Sequence, residues 1–304
     1  ETEVMFLSYV NAKTLTVFQK SFYWLQTHDL YGKDVEYTPI AAFVDTVVEG
    51  GVEKSWAFGW FGGHYDGNDY TIQDLEITTS DINTTGLFGL TVDAELKNII
   101  LYSSDGKGVI QSQNKKDNWY AMGGIVGLAA NTVGSNGSIQ NCAVAGYNIN
   151  DNNKACAFGG GGVGGLVGIC NLNLEKCTAV TNIYINFEHS NSSRNVRVGG
   201  LVGSCQKTIS QCYAGGEISV GNNIKNLNTK VHIGGLVGGF FMKTLTITNG
   251  MVIQSNVRAN NAVVTDNPST IKECYSFVTR PSTESLSTSS KLFVIGGLGE
   301  ISNA

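Results

Sequence analysis

The sequence predicts an all-β chain, a right-handed parallel β-helix with a less regular N-terminal cap. Three observations predict it. First, one glycine-rich phrase recurs at a fixed interval of thirty-five residues: GVGGLVGIC at 162–170, RVGGLVGSC at 197–205 and HIGGLVGGF at 232–240. A constant period of this size marks stacked supersecondary units. Second, the 304 residues include 38 Gly and only 3 Pro, with 42% hydrophobic and 15% charged residues, a mix that suits short strands and tight turns better than long helices. Third, apolar residues stand in pairs two apart, Ile183 with Ile185 and Ile218 with Val220, as strands with alternate residues inward require.

The repeat has a rigid arm and a variable one. Cys142, Cys177, Cys212 and Cys274 each lie 23 residues before the second Gly of the next pair, namely Gly165, Gly200, Gly235 and Gly297. The return distance varies: 18 residues from Gly124, 12 from Gly165 and Gly200, and 39 from Gly235. Within the rigid arm Val163, Val198, Ile233 and Ile295 precede the second Gly by two positions, and Leu166, Leu201, Leu236 and Leu298 follow it directly. Three short strands per period make one coil, and equivalent side chains stack into ladders. The glycines are needed for a sharp bend or for close backbone approach. About six to eight coils are expected.

One continuous domain follows, with residues 1–55 as the N-terminal cap and first coil and 56–304 as repeats. Leu15, Phe18 and Phe22 fall at helical spacing, and a short amphipathic helix over 12–22 is expected to cover the open first coil. The long return after Gly235 implies an insertion at about 239–265, where TLTITNGMVIQ (244–254) reads as two strands around an Asn-Gly turn. The last phrase, GGLGE (296–300), departs from the pattern and implies that the stack ends or is capped there. No signal peptide stands at the chain's start, and the abrupt start and the stop soon after GGLGE read as a mature segment or a piece cut from something longer.

WAFGWFGGHYDGNDYTIQDLEI (56–77), GLFGL (86–90), AELKNIIL (94–101) and IQNC (139–142) resemble the GLUG-motif repeat family. The matching positions are Phe61, Gly63, Asp66, Gly67, Asn68, Ile72 and Gly86 to Gly89, and 23–43 is similar to the family's lead-in. The resemblance implies β-helical bacterial surface or secreted proteins, often adhesin-like. Similar repeats also accompany catalytic domains in large secreted peptidases.

Chemistry is sparse. The net charge of −5 argues against an electrostatic grip on nucleic acid, and no membrane insertion is expected, since the uncharged run 155–174 is crowded with Gly and contains Asn171 and Asn173. The seven cysteines contain no CxxC, and ligands thirty-five residues apart on stacked strands would form a line rather than a tetrahedron, so a buried ladder of thiols is expected and no metal. GGGGVGG (159–165) satisfies GxGxxG, but another strand follows where a dinucleotide site needs a helix, so no cofactor is expected. His28, His64, His189 and His232 have no catalytic spacing and read as solvated or incidental. Asp66, Asn68 and Asp69 offer oxygen ligands to calcium, yet read first as a tight turn. Glu175, Glu188 and Glu217 are the candidates for a polysaccharide-degrading site, at repeat positions that do not coincide. Among aromatics, Trp56, Trp60, Phe61 and Trp119 are candidates for sugar stacking, with core or cap packing the default.

A non-enzymatic extracellular or cell-surface module is expected, adhesin-like, with polar loops at 152–159, 187–194, 222–229 and 284–291 stacked along one edge. The candidate ligand-binding residues are Glu188, His189, Asn191, Arg194, Asn222, Asn223, Asn226 and Asn228. The expected partner is a glycan or surface protein of a host or neighbouring cell. End-to-end self-association through open coil ends is a second expected contact. The alternatives are a passive stalk of a larger secreted protein, such as a peptidase, and a polysaccharide-degrading β-helix enzyme.

Overall fold

The computed structural model describes residues 23–41, 44–49, 52–57, 60–80, 82–113, 120–131, 135–155, 161–186, 188–189, 195–221, 230–240, 245–248, 251–254, 270–279 and 293–296. They form strands without a helix, in four large sheets whose pairings are parallel. The expected helix over 12–22 lies outside the described residues.

Each pass of the chain visits the sheets in one order. The first sheet stacks seven strands, from Tyr23–Leu25 through His64–Asp66, Glu95–Lys97, Ser138–Gln140, Asn173–Glu175 and Ile209–Ser210 to Ile271–Lys272. The second is headed by Leu30–Tyr31, Thr71–Gln73 and Ile100–Tyr102 and continues through Ala143–Asp151, Thr178–Ile185 and Tyr213–Val220 to Tyr275–Thr279. Its far half is extended by Ile77–Ser80 and Gly108–Gln113. The third runs from Thr84–Thr85 to Phe293–Gly296, and the fourth from Phe88–Val92 to Val237–Phe240. Seven passes fall within the six to eight expected. A pass carries four strands rather than three, because the Gly-Gly-Leu corner divides the glycine-rich phrase between the third and fourth sheets.

The thirty-five-residue period is the stacking register. Ile139 pairs with Leu174 and Leu174 with Ile209 in the first sheet; Val163 pairs with Val198 in the third, and Cys170 with Cys205 in the fourth. Across the insertion the register survives, since Ile209 pairs with Ile271 and Ile233 with Ile295. The first two sheets bury one face, and their strands alternate, as in Thr178–Ile185. Strands of the third and fourth sheets are buried almost throughout, and read as runs rich in apolar residues and glycine that do not alternate.

Close approach, not left-handed backbone, explains the Gly-Gly pair. Gly164, Gly165, Gly199 and Gly200 all lie outside the positive-φ region. A Cβ on Gly164 would collide with the Val167 carbonyl, and one on Gly165 with the carbonyl of Gly200 in the next pass and with Ala179. Left-handed backbone falls instead at the corner between the first two sheets, at Asn98, Asn141, Lys176, Gln211 and Glu273, with φ of 55°, 51°, 54°, 54° and 52°. Directly after that corner residue come Ile99, Cys142, Cys177, Cys212 and Cys274, of which all but the half-exposed Cys274 are buried. The described cysteines are free thiols, as the ladder reading requires.

The insertion is a hairpin, Leu245–Thr248 against Met251–Gln254, as expected for TLTITNGMVIQ. A second hairpin, Val44–Glu49 against Val52–Ala57, was not foreseen. The two join edge to edge through Met251 with Trp56 and Val252 with Ser55, which links an excursion of the first pass to one near the last.

Candidate functional site

The expected ligand-binding residues fall mostly outside the described residues: Asn191, Arg194, Asn222, Asn223, Asn226 and Asn228 all do. The backbones of Glu188 and His189 pair in parallel with Lys154 and Ala155, so two successive edge loops meet in register. These loops leave the far ends of second-sheet strands, after Asp151 and after Ile185.

The outer face of that second sheet is the best-formed candidate surface. One row across it is Tyr31, Gln73, Tyr102, Ala145, Val180, Gly215 and Phe277, each residue the register partner of the next. Four of them are large and exposed: Tyr31 at 56%, Tyr102 at 41%, Val180 at 41% and Phe277 at 76%. They occupy the first, third, fifth and seventh passes, while Gln73, Ala145 and Gly215 occupy the passes between. The Tyr213 ring leans over Gly215 and lies 6.3 Å from the Phe277 ring. Farther along the strands the face is amide-rich, with Asn182 donating to Asn148 at 3.2 Å. Among the described strand residues of this sheet, Asp151 and Glu217 are charged; Asp151 is buried and only Glu217 faces solvent.

The first sheet presents a different face. Tyr23 stacks on His64 at 4.2 Å, His64 Nδ1 meets Glu95 Oε2 at 2.8 Å, and Lys97 Nζ meets Asp66 Oδ2 at 2.9 Å. Asp66 Oδ1 accepts from the Asn68 amide at 2.9 Å and from Asn98 Nδ2 at 2.8 Å. Burial pushes the Asp66 carboxyl up, but those donors and Lys97 together hold it below its ordinary range. The Asp-Gly-Asn segment thus spends its carboxylate on the turn and the next pass. Among the described residues no group of three or more His, Cys, Asp and Glu side chains is placed to hold a metal ion.

Of the other candidates, Phe61 is buried, with its ring 4.8 Å from that of Phe88, and Trp60 packs against the core. The side chains of Trp56 and Trp119 lie outside the described residues. His232, read from sequence as solvated or incidental, is buried: it belongs to a third-sheet strand and is the register partner of Arg197, and that sheet is covered on both faces. Glu175 belongs to the first sheet and Glu217 to the second, so these two carboxylates do not share a face.

The exposed row was missed in the sequence reading. Its signal is the third residue after each inward corner residue: Tyr102 after Ile99, Val180 after Cys177 and Phe277 after Cys274. One buried polar cluster also went unforeseen. Tyr120 Oη donates to Asp151 Oδ2 at 2.7 Å, Asn153 Nδ2 donates to Asp151 Oδ1 at 2.8 Å, and Ser112 Oγ donates to Asn153 Oδ1 at 2.7 Å. Burial pushes the Asp151 carboxyl up to about 6, against the pull of the Tyr120 and Asn153 donors.

No family model matches the chain, and no solved structure matches it. A protein named halomucin, from Haloquadratum walsbyi (strain DSM 16790 / HBSQ001), is 34% identical over 125 residues, which cover 40% of this chain. The aligned stretch spans about 1% of that protein's length. Among the described residues no helix is long and apolar enough to cross a membrane.

Proposed function

We propose that the passes close into a right-handed parallel β-helix of the GLUG-repeat type, and that the chain is a non-enzymatic, adhesin-like module of a secreted or cell-surface protein. The observation that carries the reading is the outer face of the second sheet, where exposed Tyr31, Tyr102 and Phe277 stand on a rigid, stacked scaffold with Glu217 the single exposed strand charge. Exposed aromatic side chains gathered on one face support an interaction surface. In this reading the edge-loop residues Glu188, His189, Asn191, Arg194, Asn222, Asn223, Asn226 and Asn228 are further candidates for contact with the partner. The partial likeness to a halomucin, a mucin by name, supports an extracellular place.

The short share of that protein favours a second reading, a passive stalk, in which this chain spaces other parts of a much longer protein. A binding screen on arrays of glycans and extracellular-matrix proteins separates the two. The adhesive reading expects a hit that is lost when Tyr102 and Phe277 are replaced by Ala or when the edge loops become Gly/Ser. Absence of any hit supports the stalk.

A further inference from the structure

We propose that the outer face of the second sheet binds an uncharged, extended polysaccharide that runs along the stacking direction, across the strands. The inference rests on the adhesive reading and adds the ligand's chemistry and its course.

Charge selects the class. The first sheet's outer face carries His64 with Glu95 and Asp66 with Lys97, whereas among the described strand residues of the second sheet Glu217 is the one exposed charge. A sulfated or uronic chain laid on this face would lose water without gaining a cation. A neutral sugar ring has apolar C–H faces that stack on aromatic rings, and hydroxyls around its rim that bond to amides. Tyr31, Tyr102 and Phe277 supply the rings, and Gln73, Asn148 and Asn182 supply amides.

Spacing selects the course. Neighbouring strands in a sheet lie ~4.8 Å apart, so exposed residues on alternate passes recur at ~10 Å. Successive sugars of an extended β-linked chain are flipped, so one ring face recurs every second sugar, at a similar length. Tyr31, Tyr102, Val180 and Phe277 form such a row, and six strand spacings give it a length of ~29 Å, room for about six sugars. Ala145 leaves space between the Tyr102 and Val180 positions, and Gln73 places an amide between Tyr31 and Tyr102. Stacked backbone holds the row in place, which limits the ordering cost on binding.

The test is calorimetry of the full chain with cellohexaose, mannohexaose and chitohexaose, each with its shorter homologues. One series is expected to bind, with affinity rising in two-sugar steps and little dependence on salt. Tyr102→Ala should weaken it at least about tenfold, equivalent to ~1.4 kcal/mol, while Tyr102→Trp keeps it. Unchanged melting of Tyr102→Ala, an exposed site, separates lost contact from lost fold. Binding of a sulfated glycan or a protein with none of the neutral series would overturn the inference and leave the adhesive reading standing. Dimerisation that Tyr102→Ala abolishes, without oligosaccharide binding, would overturn it in favour of a second copy. No binding of any kind would remove both.

Discussion

Asn141 donates its side-chain amide to Asn98 Oδ1 one pass below, at 2.8 Å, and Asn98 in turn donates to Asp66 at 2.8 Å. Both asparagines stand in left-handed backbone at the corner between the first and second sheets. Asn tolerates that conformation better than most side chains. It also has a donor and an acceptor to pass along the stack. One residue type thus satisfies the local turn and the contact between passes.

The ladder stops at Lys176, which holds a φ of 54° with no amide to share. Lys176→Asn should therefore stabilise the fold by about 0.5–1 kcal/mol, by easing the left-handed backbone and lengthening the amide row. Urea denaturation measures it. A variant less stable than the parent would show that the Lys176 side chain contributes more than the corner geometry.

The Gly-Gly corner makes a harsher demand. Gly165→Ala would drive a methyl into the Gly200 carbonyl and Ala179, backbone and core with nowhere to move. Loss of about 3 kcal/mol or more, or failure to fold, is expected. Gly106 is the contrast: its φ is +71°, yet nothing lies within 4 Å of an added Cβ. Gly106→Ala should cost only about 1 kcal/mol of backbone strain. Equal losses at the two sites would refute the distinction between close approach and conformation.

How far the sequence reached follows from what it repeats. Cys177, Gly165 and Leu166 face constant surroundings in every pass, so the register, the thiol ladder and the number of passes were legible from spacing alone. Tyr102, Val180 and Phe277 face solvent, where no neighbouring pass constrains the residue type, so their row has no motif and emerged only once the strands were aligned. Asp151 and Tyr120 were hidden differently. They belong to different passes and to different sheets, and nothing in either residue's local sequence marks the other. The split of GGLVG into two strands was also invisible, because a run buried on both faces does not alternate.

The buried thiols of Cys177 and Cys170 should be chemically silent. The Cys177 amide donates to Cys212 Sγ at 3.3 Å, and Cys177 Sγ lies 3.5 Å from the Ile139 carbonyl. Burial raises the pKa of the Cys177 and Cys170 thiols well above the ordinary value, which disfavours the nucleophilic thiolate. A thiol-reactive chromophore should label these positions only at the rate of unfolding. Cys177→Ser, which buries a hydroxyl in that slot, should cost about 2 kcal/mol. Rapid labelling of Cys177 in the native chain would rule out the buried ladder.

Asp151 should make stability depend on pH in the direction opposite to a salt-bridged carboxylate. Its ordinary value of 3.8 is raised to about 6 in the fold, chiefly by burial. Between those values the folded chain keeps a proton that the unfolded chain has lost, so stability falls as pH rises through the window and levels off above it. The contribution is on the order of 3 kcal/mol. Asp151→Asn resembles the protonated acid: its oxygen can accept from Asn153, and its amide can donate to Tyr120 Oη, which turns to accept. Relative to the parent, the Asn variant should therefore gain stability from about pH 4 to about pH 7. Urea curves of both chains across that range give the difference directly, and other carboxylates cancel in the subtraction. Curves that stay parallel throughout would mean that Asp151 is charged at all these pH values and that the Tyr120 and Asn153 donors outweigh its burial.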